Sequence, residues 1–216
     1  MPPGSTWRPP PLPTYTPSIT PNPNDDIPPT VIPSARVDAA GPLAIATAQP
    51  LTPGQGRNPV RLMIPVLNMD VPVSPMGWHM VQDKSGAHSE WDVPDFSAGH
   101  HIDSAFPGEA GNVVFSGHNN LGARVFAPIS TIGEPGNPLG LGDEMIIVDE
   151  IGRRFTYRVT GWKRFPENSA SLDARRENAS YLQQTDFPQI TLITCWPPQS
   201  NTHRVIIFGA LTQRAP

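Results

Sequence analysis

The 216-residue sequence has a single cysteine, Cys195, and can therefore form no internal disulfide. It has no run of lysines and arginines, and its formal net charge is -4. The basic footprint of a nucleic-acid binder is missing, so no nucleic-acid partner is expected. No apolar stretch approaches the roughly 18 to 20 residues that span a bilayer. The first residues also lack the basic-then-apolar order of a secretory signal. As it stands the sequence reads as soluble, although its Met1-to-Ser5 opening before a proline-rich stalk leads us to expect a membrane anchor upstream of it. Long amphipathic helical patterns are scarce as well, which directs attention to strands.

Proline is plentiful. Of the 29 prolines, sixteen fall in the first 60 residues, in stretches such as Pro9-Pro10-Pro11-Leu12-Pro13 and Ile27-Pro28-Pro29. Such a segment has few backbone donors and little apolar periodicity. Residues 1–57 are accordingly expected to form an extended or disordered arm, and residues 58–214 one folded domain. A role for the arm as a lid over a groove of the folded domain is kept as an alternative.

Within the folded part, Arg61 to Val73 reads as two short strands punctuated by prolines, which suits edge or first-strand positions. Val113-Val114-Phe115-Ser116 is strand-like and ends at Gly117-His118, and a helical or loop connection follows over 119–132. Glu144 to Asp149 and Arg153 to Val159 form an expected hairpin about Ile151-Gly152. A polar stretch from Lys163 to Gln189 carries one short helical patch, Ala174 to Gln183. Strand pattern returns at 189–195 and 203–211. Seven or eight strands with almost no long helix imply an all-β, closed or nearly closed barrel.

Alternation along Thr191-Leu192-Ile193-Thr194-Cys195 puts Thr191, Ile193 and Cys195 on one face and Leu192 and Thr194 on the other. An isolated cysteine is more often a small buried hydrophobe than a reagent. Two neighbours in the pattern argue otherwise. His118 ends a strand after a glycine, where it can exchange a proton with a thiol or an amine. Arg204 opens the apolar strand Val205-Ile206-Ile207-Phe208, where a guanidinium is costly unless it meets an anion. Beside Cys195 it would favour thiolate and hold a developing oxyanion. Metal chemistry has less support: adjacent His100 and His101 point to opposite faces of a strand, and no third ligand is suitably spaced. Trp78, Trp91, Trp162 and Trp196 read as core or rim residues, with Trp196 also able to line a groove beside the cysteine.

The segment Thr191-Leu192-Ile193-Thr194-Cys195, with Arg204 downstream and Ser116-Gly117-His118-Asn119 upstream, resembles the motifs of the sortases. The strands of Arg61 to Val73 and the Pro107-to-Asn112 turn before the histidine strand are also similar, and the resemblance runs from Asn58 to Leu211. Proline soon after the cysteine, in Trp196-Pro197-Pro198, is similar to the class D and E types. The resemblance implies an eight-stranded sortase-like β-barrel with short helices, on the outer face of the cell membrane or the cell surface. It implies a cysteine transpeptidase that cleaves an LPxTG-like sorting signal between Thr and Gly and passes the protein to an amine of a cell-wall precursor or pilin. The arm's Leu12-Pro13-Thr14-Tyr15 is only loosely like such a signal and is not read as a self-substrate. In that reading Cys195, His118 and Arg204 are catalytic, and Thr194, Asn119 and Trp196 bind or position substrate. Some sortases use calcium; here Asp143, Glu144, Asp149, Glu150, Glu167 and Asp173 are read as solvated acids, so no cofactor or metal is expected, with calcium on these loop carboxylates as the alternative. A hydrolytic cysteine protease without amine transfer, and a non-catalytic surface-binding barrel with Cys195 inert, are the alternatives.

Overall fold

Strand-forming segments close into a single barrel in the computed structural model, which describes residues 47–83, 86–167 and 172–215. In chain order the strands are β1 (Pro59–Ile64), β2 (Met69–Met76), β3 (Trp78–Asp83), β4 (Gly86–Trp91), β5 (Ala98–His101), β6 (Gly111–Ser116), β7 (Glu144–Asp149), β8 (Arg154–Pro166), β9 (Pro188–Trp196) and β10 (His203–Ala215). The helices are α1 (Ala127–Ser130) and α2 (Leu172–Ser180). Eight strands close in the order β1-β2-β5-β6-β9-β10-β8-β7, and β3 with β4 makes a separate hairpin. The expected eight-stranded all-β barrel with short helices is thus what the chain forms. Among the described residues no helix is long and apolar enough to cross a membrane.

Of the two positions expected for the prolines of the opening segment, first strand and edge, the barrel has the first and not the second. A closed barrel has no edge to protect, and β2 lies between β1 and β5. Its first half pairs antiparallel with β1, ending at Arg61 opposite Pro72. Its second half pairs parallel with β5, beginning at Val73 opposite Ala98. Pro72 and Pro75 flank this change of partner, where the strand is hydrogen-bonded along one side at a time and a missing N–H is tolerated. The expected helical patch is α2, which begins slightly earlier in the chain than the pattern suggested.

Core residues follow the alternation. Val113 and Phe115 of β6, Ile190 and Leu192 of β9, and Val205 and Ile207 of β10 point inward with Phe155, Tyr157 and Val159 of β8. Tyr157 is fully buried, and its hydroxyl accepts a hydrogen bond from Gly108 N at 2.8 Å, so a polar tip inside the core is satisfied. Residues 1–46 of the expected arm, including Leu12 to Tyr15 and any lid they would form, lie outside the described residues. Residues 47–57 carry no strand or helix. They lie along the barrel, with Ala48 N donating to Leu211 O (2.9 Å) and Leu51 N to Gly108 O (2.7 Å).

Candidate active site

Three adjacent strands set the site by register. β6 and β9 run parallel with Ser116 opposite Ile193, and Gly117 N donates to Ile193 O at 3.2 Å, carrying the pairing one step past the end of β6. His118 therefore leaves its strand at the level of Cys195. On the other side β10 runs antiparallel to β9, with Arg204 directly opposite Cys195. The inward set of β9 is Ile190, Leu192 and Thr194. Cys195 is thus on the outer face of the barrel wall, partly buried, at the end of a sheet surface formed by β6, β9 and β10.

Arg204 Nη1 donates to Cys195 Sγ at 2.7 Å. Its Nε lies 3.7 Å from the carboxylate of Glu167, the residue that follows β8. Burial pushes the Cys195 thiol up; Arg204 pulls it down through its charge and its hydrogen bond, and Glu167 pushes it up again. The net direction is upward, so the cation beside the sulfur does not by itself make a resting thiolate. Arg204 acts in the anticipated direction, but desolvation of the anion outweighs it.

His118 is oriented by the segment between β4 and β5. Its Nε2 lies 3.2 Å from Val93 O and 3.9 Å from an Asp95 carboxylate oxygen. A carbonyl only accepts, so Nε2 carries the hydrogen and Nδ1 is the nitrogen with a lone pair to offer. Asp95 is itself latched to the loop after His118: Ala123 N donates to Asp95 O at 2.8 Å. This approach is close enough that a Cβ on Gly122, whose φ is +55°, would come within 2.0 Å of that same oxygen.

The other three residues of the sequence reading are placed as follows. Thr194 faces away from Cys195, is buried, and donates from Oγ1 to Gly117 O at 2.9 Å, tying β9 to the exit of β6. Asn119 is also buried, and its Nδ2 donates to Cys195 O at 2.7 Å while its Oδ1 has no partner among the described residues. Trp196 alternates to the side opposite Cys195 and packs against the core. There it is covered by the Arg164 guanidinium, 4.2 Å from its ring, and met edge-on by His203. The β9–β10 loop is fixed in turn by Asn120 Nδ2, which donates to Pro198 O at 2.7 Å.

Sequence reasoning missed Val93 and Asp95, and it met Glu167 only as one acid among several. Their signal is positional: Glu167 N donates to Thr202 O at 2.9 Å, one step past the last β8–β10 pair of Pro166 with His203. Only the register brings it beside Arg204. Farther along the outer face, Tyr181 from the β8–β9 connection packs on Phe208 and Phe165 and accepts from Lys163 Nζ at 2.6 Å. Tyr181 thus covers the outer face of the sheet at Phe165 and Phe208.

The two histidines weighed for metal are both buried. His100 Nε2 lies 3.1 Å from Ala105 O, and His101 Nε2 lies 2.8 Å from Ser116 Oγ. Asp143, Glu144, Asp149 and Glu150 are engaged one by one with Gly140 N, Arg158, Arg153 and Asn58. Among the described residues no group of three or more His, Cys, Asp or Glu side chains is placed to hold a metal ion.

Known proteins resemble this chain in sequence and in fold. The family model described as the sortase domain matches residues 62–212. Sortase SrtE1 of Streptomyces coelicolor is 27% identical over 171 residues, covering 76% of this chain and 42% of that protein. The chain thus spans less than half the length of this curated relative. The crystal structure of sortase E1 from Streptomyces coelicolor, with a tripeptide in its active site, superposes with a TM-score of 0.51 at 25% identity, over 78% of this chain and 94% of that one. Sortase A from Corynebacterium diphtheriae, a lid mutant, gives 0.53 at 22% identity over 76% of each chain. A sortase D5 transpeptidase from Clostridium perfringens gives 0.51 at 22%, over 76% and 82%.

Proposed function

The chain belongs to the sortase family, and on that premise we propose that it is a cysteine transpeptidase of the class D or E type, acting on a peptide sorting signal at the cell surface. The observation that carries this reading is Arg204 Nη1 at 2.7 Å from Cys195 Sγ, on the strand wall where the register also brings His118 to the same end. The Cys195 thiol gives its proton to His118 Nδ1 as Sγ bonds to the threonine carbonyl of an LPxTG-like signal. The carbonyl electrons move onto oxygen, and Arg204 turns one N–H from the sulfur to this oxyanion. Collapse breaks the C–N bond, and the proton held by His118 leaves on the glycine amine. The resulting thioester is attacked by an amine of a cell-wall precursor or pilin, whose proton passes to His118 and then to the departing thiolate. Nε2 remains donated to Val93 O throughout, so the proton traffic uses one nitrogen.

The raised thiol is compatible with this order of events, because proton transfer at the moment of attack requires no stored thiolate. The test is mass spectrometry of candidate sorting peptides incubated with the protein, with and without triglycine. Cleavage with transfer to triglycine, abolished by Cys195→Ala and severely reduced by His118→Ala or Arg204→Ala, is the expected result. Release of free acid alone at every amine concentration would leave a hydrolytic protease. Absence of cleavage, with Cys195 resistant to a thiol reagent, would leave a binding barrel.

A further inference from the structure

We propose that Glu167 is a positioning residue of this site, holding the Nε side of Arg204 so that Nη1 stays turned toward Cys195. The assignment rests on the preceding reading of Cys195 as nucleophile and Arg204 as its cation. An arginine reaches the sulfur on a chain of freely rotating methylenes, and a single contact at Nη1 leaves the guanidinium plane free to swing about it. A second contact at Nε defines that plane. Glu167 supplies it at 3.7 Å, an ion-pair rather than a hydrogen-bond distance. Its own backbone is fixed by the bond from Glu167 N to Thr202 O.

The pair is an unusual one for this chain. Asp149 with Arg153 and Glu134 with Arg164 link acids and arginines away from the cysteine. Arg204 instead stands between a carboxylate and a thiol. Both side chains of the ion pair are reachable by solvent, since Arg204 and Glu167 are 41% and 43% exposed. Such a pair adds little to stability. Its consequence lies in aim: when the oxyanion forms, a guanidinium anchored at Nε can pass Nη1 from sulfur to oxygen by a small rotation. A free one must first be found among many rotamers.

The arrangement has an opposing electrostatic side, because among the described residues Arg204 from β10 and Glu167 from the end of β8 are the charged groups whose fields reach Cys195. Removing the Glu167 charge takes away its push on the thiol, but by releasing Arg204 it also weakens the larger pull that Arg204 exerts through its charge and its hydrogen bond. The predicted signature is therefore a worse catalyst without a better thiolate, whereas a carboxylate that acted by its charge alone would leave the thiol easier to ionise when removed.

The experiment compares wild type, Glu167→Gln, Arg204→Lys and the double variant. Each is read by peptide cleavage and by the pH dependence of iodoacetamide alkylation, with thermal melts as a control for folding. Expected for Glu167→Gln is a kcat lower by roughly 10-fold with KM nearly unchanged. Its alkylation midpoint should not fall, and the kcat effect should vanish in the Arg204→Lys background. An unchanged kcat, an alkylation midpoint that moves to lower pH, or an equal loss with Lys at position 204 would each overturn the assignment. Wild-type protein that cleaves no sorting peptide would overturn the functional reading instead, and the alkylation arm would still report whether Glu167 acts on Cys195.

Discussion

Asn119 brings two polar atoms into a buried position that satisfies only one of them. Its Nδ2 holds Cys195 O at 2.7 Å, and its Oδ1 is enclosed without a donor. Replacing it by alanine strips the Cys195 carbonyl of its partner, at a cost of about 1–3 kcal/mol for a buried group left unpaired. The same change removes an acceptor that was already unpaired, which returns a similar amount. The two nearly cancel, so Asn119→Ala should alter stability by no more than about 1 kcal/mol. Catalysis has no such compensation. The amide is the direct tie between the residue after His118 and the backbone of the nucleophile, and a displacement of about 1 Å at a reacting atom can cost on the order of 100-fold in rate. Urea denaturation and steady-state cleavage of a sorting peptide, on the same preparations, separate the two quantities. Asn119→Asp adds a control: a carboxyl group can donate to Cys195 O only while protonated, so its activity relative to wild type should rise as pH is lowered. A loss of more than about 3 kcal/mol with kcat intact would refute the reasoning, as would an Asn119→Asp deficit that does not change with pH.

Two further outcomes follow from groups near the site. Burial holds His101 at about 4, well below the ordinary value of 6.5. Its stabilising contribution is complete above pH 6.5 and is lost as pH falls from there toward 4, because the unfolded chain takes up the proton first; the total is about 3 kcal/mol. Urea midpoints measured between pH 7 and pH 4 should fall more steeply for wild type than for His101→Gln, and parallel curves would count against it. Gly122→Ala places a methyl group against Asp95 O at a positive φ. It should cost at least about 1–2 kcal/mol and loosen the segment that holds His118 Nε2, lowering kcat more than KM; activity at the wild-type level would mean that the segment does not orient the histidine.

The barrel was legible because its signals are local. Short apolar, β-branched runs in 113–116, 144–149, 189–195 and 203–211 specified strands, and Ile151-Gly152 specified a turn. Cys195 and Arg204 were readable together for the same reason, as they stand opposite each other across one short connection. The face that Cys195 occupies followed from parity, although it turned out to be the outer wall of the barrel. Trp196 illustrates the limit: adjacency to the nucleophile suggested a groove residue, while the pleat sends it to the core side beneath Arg164. Asp95 and Glu167 could not be read. Each reaches the site through register and loop contacts far along the chain, and an acid in a polar stretch carries no local mark of the arginine or histidine it will meet. The thiol's upward shift was equally hidden, because desolvation depends on what covers the sulfur rather than on the cation beside it.

Because β6 and β9 are parallel, the tie from Thr194 to Gly117 joins residues 77 positions apart, whereas Cys195 and Arg204 are separated by nine. Contacts of the second kind form early in folding, and those of the first must wait for a long loop to close. A partly unfolded chain can thus pair its cysteine with its cation before His118 is in place. Such a chain would have no proton carrier and could not acylate itself or its neighbours. Competence at Cys195 then reports that the barrel has closed.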